Sequence, residues 1–294
     1  MPFYRYKYIL IEVAYFREII SVAKFELTPF LKWPGGKRWL VSKYGVYFPQ
    51  SFNRYFEPFL GSAAVFFFLR PQNAVLSDIN GDLIALYEVM RDNPFELAEA
   101  MKNHQSAHCT DYYYLVRNQQ YNDPIDMASR FLYLNRMCFN GMFRVNKDGL
   151  FNVPIGTKQN CIFDIDRFAD YSILLKDTEL CACDFEELIS RAKKNDFVFI
   201  DPPYTVSHNQ NSFIRYNEQL FTWSDQERLL QSLCSARSRD VNVIATNANY
   251  DKLRTMYTDS GFYVIPVKRH SVMSAKSENR QIQEELLISS KRID

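Results

Sequence analysis

Apolar positions in this chain come in short runs that stop abruptly at proline, glycine or a carboxylate. Ser51–Phe59 is an aromatic-rich run halted at Pro58, and Gly61-Ser62-Ala63-Ala64 then opens an apolar stretch through Leu69, which predicts strand, turn and helix. Ala74-Val75-Leu76-Ser77-Asp78 is a short strand ending in a carboxylate. Asp196-Phe197-Val198-Phe199-Ile200 is a fully apolar strand that runs into Asp201-Pro202-Pro203-Tyr204. Val241–Thr246 and Glu285–Ile288 complete a set of buried strands with helical segments between them. Such alternation predicts an α/β fold, a doubly wound sheet that binds ligands at the carboxyl ends of its strands.

The middle of the chain breaks this rhythm. It is helical from Leu83 to Met101, then polar and tyrosine-rich, then loop-like with Asn, Gly and Arg. We read residues 81–165 as an inserted, mainly helical module, flanked by the two parts of the α/β domain at 29–80 and 166–294. Residues 1–28 form an extension that ends at Thr28-Pro29, with apolar positions of no clean period.

The 294 residues and 47% apolar content suffice for one large or two ordinary domains. A charged share of 23% with 9 glycines excludes disordered and collagen-like chains. Lysine and arginine (35) nearly cancel aspartate and glutamate (34), so the chain carries no uniformly basic coat, though a local basic face is allowed. Arg5, Lys7, Arg17, Lys24, Lys32, Lys37, Arg38 and Lys43 face only Glu12, Glu18 and Glu26 in the first 48 residues. A second basic stretch runs from Lys268-Arg269-His270 through Lys276 to Arg280, with Glu278 its one acid, and reads as a phosphate-gripping loop or a solvated hairpin. Six cysteines without a CxxC pair indicate free thiols in a reducing cytoplasm, with no structural zinc. No apolar run reaches about 18 residues; Glu12 interrupts Tyr8–Ile11, so neither a membrane span nor a signal peptide is expected. The 24 Phe and 19 Tyr suit either cores or base stacking, and composition does not choose.

Three local constellations carry chemistry. In Asp201-Pro202-Pro203-Tyr204 the prolines lack N–H donors, so the carbonyls around them face the crevice as acceptors; Asp201 adds another and Tyr204 a flat ring. A planar ring amine needs two acceptors for its hydrogens and a ring to stack on. A proline turn with an incidental tyrosine has the same sequence, but the place at the end of a buried strand favours the pocket. Phe56-Glu57-Pro58-Phe59-Leu60-Gly61-Ser62 precedes a helix whose N-terminus offers free N–H groups, without the GxGxxG pattern of a dinucleotide site. Asp78, 17 residues after Gly61, suits a ribose diol or a helix N-cap. In Lys32-Trp33-Pro34-Gly35-Gly36-Lys37 the glycines allow close approach to a ligand, Lys37 can pair with a carboxylate and Trp33 can pack on an apolar group. Taken alone, this last stretch reads as an ordinary connection.

Together these motifs resemble those of the Dam-type (D12 class) DNA N6-adenine methyltransferases over about residues 29–290. The matching stretches, in the family's order, are Phe30–Lys37, Phe56–Ser62, Leu76–Asn80, Tyr133–Arg136 with Phe139–Asn146, Phe151–Gly156 and Asp201–Tyr204. The resemblance implies a Rossmann-like fold dependent on S-adenosylmethionine, with the cofactor held by Trp33, Lys37, Gly61, Asp78 and Asp201. It places Lys37 at the methionine carboxylate, Asp78 at the ribose and the Asp184-Phe185 corner at the adenine. Pro34 replaces a usual alanine, and Ser62-Ala63 a usual glycine or two; both changes bear on cofactor affinity rather than on the reaction.

The resemblance also makes residues 81–165 a target recognition domain, with Lys32, Asn140, Met142, Arg144 and Pro154 at DNA-reading positions suited to a short palindrome such as GATC. Physically, Arg136 and Arg144 are forks for guanine edges or phosphates, and Phe139, Met142 and Phe143 can wedge beside unstacked bases. A folded polar loop with core aromatics and solvated arginines is the alternative. The expected partner is double-stranded DNA bound by a monomer, with no metal. Asp201, Pro202 and Tyr204 are the expected catalytic residues acting on a flipped adenine, and an Asp201 with the ordinary pKa near 3.9 is a poor base. Rival amines (cytosine N4, an RNA adenine, a glutamine amide) are more often served by Ser or Asn before the two prolines. A catalytically idle relative would have lost the Asp or the Tyr.

Overall fold

Successive residues of the apolar strands point to opposite faces, and both faces are covered. Tyr55, Phe197 and Phe199 join Phe30, Phe67, Tyr87 and Tyr171 in one core. Phe56, Val198 and Ile200 join Leu188, Leu229, Leu233 and Leu253 in the other. Each fully buried Phe or Leu stabilises the sheet by roughly 1.5–3 kcal/mol. This is the doubly wound arrangement that the strand pattern predicts.

The computed structural model describes residues 27–146, 148–162, 164–204, 221–270 and 282–293. The element expected over residues 1–27, save Leu27, and Lys276 with most of its basic stretch lie outside the described residues. The strands are β1 (Tyr55–Glu57), β2 (Ala74–Ser77), β3 (Thr178–Cys181), β4 (Phe197–Ile200), β5 (Asn242–Ala248), β6 (Tyr263–His270) and β7 (Ile282–Ser289). Their order is β3-β2-β1-β4-β5-β7-β6. The first five strands pair in parallel, and β7 lies antiparallel between β5 and β6. Strand order reverses between β1 and β4, which opens a crevice beyond the carboxyl ends of those two strands.

Helices α1 (Arg38–Tyr44), α2 (Ala64–Leu69), α3 (Gly81–Asp92) and α7 (Phe168–Leu175) line the first core, and α8 (Phe185–Ser190), α9 (Trp223–Ser238) and α10 (Asp251–Asp259) the second. The segment between β2 and β3 also carries α4 (Pro94–Ala107), α5 (Thr110–Asn118) and α6 (Pro124–Met137). Their starts follow from local chemistry. The Asn80 side chain accepts the Leu83 N–H to cap α3, and Asp123 caps α6 with Pro124 in its first turn. The tyrosine-rich stretch packs on the core: Tyr113 is fully buried with Tyr112 and Tyr114 half-buried beside it, and the Tyr113 hydroxyl donates to the Val153 carbonyl at 3.0 Å.

Lys268, Arg269 and His270 belong to β6, opposite Glu284, Gln283 and Ile282. This corrects the loop expected there: Lys268 pairs with Glu284 at 3.8 Å and Arg269 with Glu285 at 2.9 Å, so both cations are neutralised across the hairpin. All six cysteines are free thiols. Among the described residues no helix is long and apolar enough to cross a membrane.

Candidate active site

Residues in or just beyond six strands, together with one turn, build the site. The turn is Trp33-Pro34-Gly35-Gly36, closed by the Gly36 N–H on the Trp33 carbonyl at 3.2 Å, with Gly35 at φ +82°. That is a type II turn, in which proline presets the second residue and glycine takes the third. The substitution Pro34 is therefore matched to its backbone. The turn delivers Lys37 into the interior, where it is only 3% exposed.

The Lys37 ammonium donates to the Gly35 carbonyl at 2.8 Å and lies 2.9 Å from Asp201 Oδ1 and 3.6 Å from Glu285 Oε2. It also sits 5.0 Å from the centroid of the Tyr204 ring. The carboxylates that Lys37 neutralises here are thus the protein's own. Asp201, directly after β4, takes a second contact on the same oxygen, since the Thr246 hydroxyl donates to Oδ1 at 2.7 Å. Its side chain is 19% exposed. Burial lifts the Asp201 pKa above the ordinary carboxylate value, outweighing the pull of Lys37, while the Glu285 charge adds to the rise. The unperturbed Asp201 expected from sequence is corrected accordingly. Pro202 is buried, and the Tyr204 hydroxyl donates to Glu285 Oε2 at 2.6 Å.

Across the crevice Asp78 follows β2. Its Oδ2 accepts the Gly61 N–H and its Oδ1 the Asn80 N–H, both at 3.1 Å. Gly61 is obligatory: its φ is +46°, and an added Cβ would stand 2.7 Å from the Trp33 ring. Ala63 holds φ 55°, a left-handed position that explains the glycine usual there and costs about 1–2 kcal/mol for an alanine. Trp33 stacks on Phe143 at 5.4 Å and Phe131 at 6.4 Å, so Phe143 packs against the turn instead of standing free as a wedge. Beyond β3, Asp184 caps α8 through the Glu186 N–H and pairs with Arg228 at 3.0 Å. Phe185 is buried against Phe59, with the Arg228 guanidinium 4.9 Å from its ring centroid.

The turn and α6 are latched together. Asn135, 2% exposed, accepts the Lys32 N–H at 3.0 Å and donates to the Lys32 carbonyl at 2.7 Å. Beside it the loop after α6 is closed by the Phe139 N–H on the Pro154 carbonyl at 2.9 Å and the Gly156 N–H on the Met137 carbonyl at 2.7 Å. Lys32, Phe139, Asn140, Met142 and Pro154 therefore come together: Phe139, Asn140 and Pro154 are exposed, and Met142 is half-buried. Arg144 is exposed in the same loop, its Nε donating to Asn152 Oδ1 at 2.7 Å. Arg136 is half-buried, a more enclosed place than a solvated fork has. Burial, then the neighbouring Lys158 and Arg136, pull the Lys32 pKa down to about 8.

Sequence reasoning missed Thr246, Glu285 and Glu57 as members of the site. Each is a polar residue at the end of an apolar strand run, the one signal that marked them.

Residues 33–273 match the model of the D12 class N6 adenine-specific DNA methyltransferases. The chain is 35% identical over 280 residues to the type II methyltransferase M1.LlaDCHI of Lactococcus lactis subsp. cremoris, covering 92% of this chain and 98% of that one. It is 31% identical over 279 residues to the type II methyltransferase M.MjaIII of Methanocaldococcus jannaschii, covering 87% and 96%. It is also 31% identical over 272 residues to the DNA adenine methylase of Haemophilus influenzae, covering 90% and 94%. With its motifs in order on a seven-stranded α/β sheet, the chain belongs to the D12 class N6 adenine-specific DNA methyltransferases, enzymes whose methyl donor is S-adenosylmethionine.

Proposed function

We propose that this enzyme, as a monomer, methylates N6 of adenine in a short duplex site, GATC, after the base has swung out of the helix into the crevice beyond β4. One observation carries the reading. Both protein contacts of the Asp201 carboxylate fall on Oδ1, which leaves Oδ2 without a partner among the described residues, next to a tyrosine ring anchored through its phenol. Asp201 Oδ2 and the Pro202 carbonyl accept the two amine hydrogens, and the Tyr204 face stacks on the ring. Held so, the nitrogen directs its lone pair out of the base plane. S-Adenosylmethionine supplies an electrophilic methyl group on a sulfonium.

The residues fit that donor. Asp78 takes the backbone N–H groups of Gly61, Asn80 and Ile79 and, as a carboxylate, retains acceptor capacity for a ribose hydroxyl. Gly61 and Trp33 shape the wall beside it, with the Asp184-Phe185 corner on the β3 side. Lys37 holds Asp201 in place and balances its charge. Catalysis rests on positioning and electrostatics: Asp201 steadies the growing positive charge on N6, whose proton leaves once the nitrogen is cationic.

In duplex DNA the adenine N6 lies along the major-groove edge, out of line with a methyl donor in a crevice, so the base must be extruded. Exposure of Phe139, Asn140, Arg144 and Pro154 on one loop supports base reading there, with Lys32, Met142 and Arg136 behind it and Lys276 assigned to a phosphate. The test is expression in a host free of DNA methylation, with modified bases mapped by single-molecule sequencing. N6-methyladenine at GATC is expected. Asp201→Ala should abolish transfer while DNA affinity stays within about tenfold. Modified cytosine, or turnover by Asp201→Ala, overturns the reading.

A further inference from the structure

Glu285 is an acid where a sheet should have a hydrophobe. It sits in β7 between Ala248 of β5 and Val267 of β6, is 3% exposed, and precedes Leu286-Leu287-Ile288, all fully buried. A buried carboxylate is retained only where partners answer it. Here two of its three partners, Tyr204 and Lys37, belong to the active site. Oε2 accepts the Tyr204 hydroxyl at 2.6 Å and faces Lys37 at 3.6 Å, and Oε1 faces Arg269 at 2.9 Å. The charges alternate from Arg269 through Glu285 and Lys37 to Asp201.

We infer that Glu285 is a positioning residue for methyl transfer. The inference rests on the reading of Asp201 and Tyr204 given above. With an oxygen on each side engaged, the carboxylate cannot rotate, so the phenol it accepts is fixed and the tilt of the Tyr204 ring with it. Sharing Lys37 has a second effect. Lys37, bound by both carboxylates and by the Gly35 carbonyl, is held in one place, and Asp201 with it. Glu285 touches neither base nor donor.

Glu285→Gln keeps the length and an acceptor for Tyr204 but removes the charge; Tyr204→Phe keeps the ring and removes the hydroxyl. Each should lower kcat about tenfold, as loss of a charge-assisted hydrogen bond in the transition state does, with KM for DNA and for S-adenosylmethionine within about threefold. Gln leaves the hydrogen bond without its charge and Phe removes it, so both variants weaken the same link and the double variant should lose little more than the worse single one. A merely structural Glu285 predicts the opposite: losses that multiply, raised KM values and a lowered Tm. Full kcat in Glu285→Gln, or multiplying losses, overturns the inference. Should Glu285→Gln fail to fold, Tyr204→Phe reads the same hydrogen bond from its other end, and full kcat there is equally fatal. A wild-type enzyme that makes no N6-methyladenine fails the underlying reading instead, which the same assay records first.

Discussion

The carboxyl of Glu57 ends β1 beside the crevice, 3% exposed, with the Tyr55 hydroxyl donating to it at 2.8 Å. Burial pushes its pKa up to about 8 from the ordinary 4.5; the Asp201 and Asp78 charges push the same way, and hydrogen bonds from Tyr55 and the Phe66 backbone oppose them. The folded chain therefore keeps a proton on Glu57 that the unfolded chain gives up above pH 4.5. Stability from this group is complete below pH 4.5 and is lost as pH rises toward 8. Glutamine mimics the protonated acid and cannot ionise. The Tm advantage of Glu57→Gln over wild type should thus grow between pH 5 and pH 8, read by thermal melts at fixed ionic strength. A difference constant with pH would mean that Glu57 is charged throughout.

Among the elements, the loop after α6 has the clearest division of labour. Its backbone is closed on itself, and Asn152 grips Arg144 through both its side chain at 2.7 Å and its carbonyl at 3.3 Å. A guanidinium so held is pre-oriented yet exposed, the state in which a bidentate base contact loses least entropy on forming. Arg144→Ala should cost about 1–3 kcal/mol of discrimination at one base pair. The measurement is kcat/KM on a cognate duplex and on its single-substitution variants. Equal slowing of every duplex would make Arg144 a backbone anchor.

For the molecule as a whole, a net charge of +1 leaves little long-range attraction for DNA. Binding must draw on local cations, and Lys32, Arg136 and Lys158 crowd together beside the loop after α6. With its pKa lowered to about 8, Lys32 is charged below that pH and loses its proton above it. DNA binding, which favours the charged form, should therefore weaken as pH rises from 7 to 9, and Lys32→Arg should flatten the curve. Fluorescence anisotropy at constant salt reads both. An unchanged slope in Lys32→Arg would remove Lys32 from the interface.

The amino-acid sequence by itself determined the apolar strands, their alternation with helices, the Trp33–Lys37 turn, the Gly61 bend and the place of Asp201–Tyr204 directly after β4. These are local properties, written in period, proline and glycine over a few residues. Strands β3 and β6 escaped it because their exposed or charged positions, Glu179 and Lys268 among them, break the apolar run, and pairing with neighbours makes them strands. Partners were beyond its reach too. Lys37 was expected at a ligand and stands on Asp201; Thr246 and Glu285, 45 and 84 residues further along the chain than Asp201 (246 − 201; 285 − 201), complete the site. Only the order β4-β5-β7 brings them beside the tetrapeptide. Which carboxylate a buried cation meets is settled by packing across the sheet, and no local pattern encodes it.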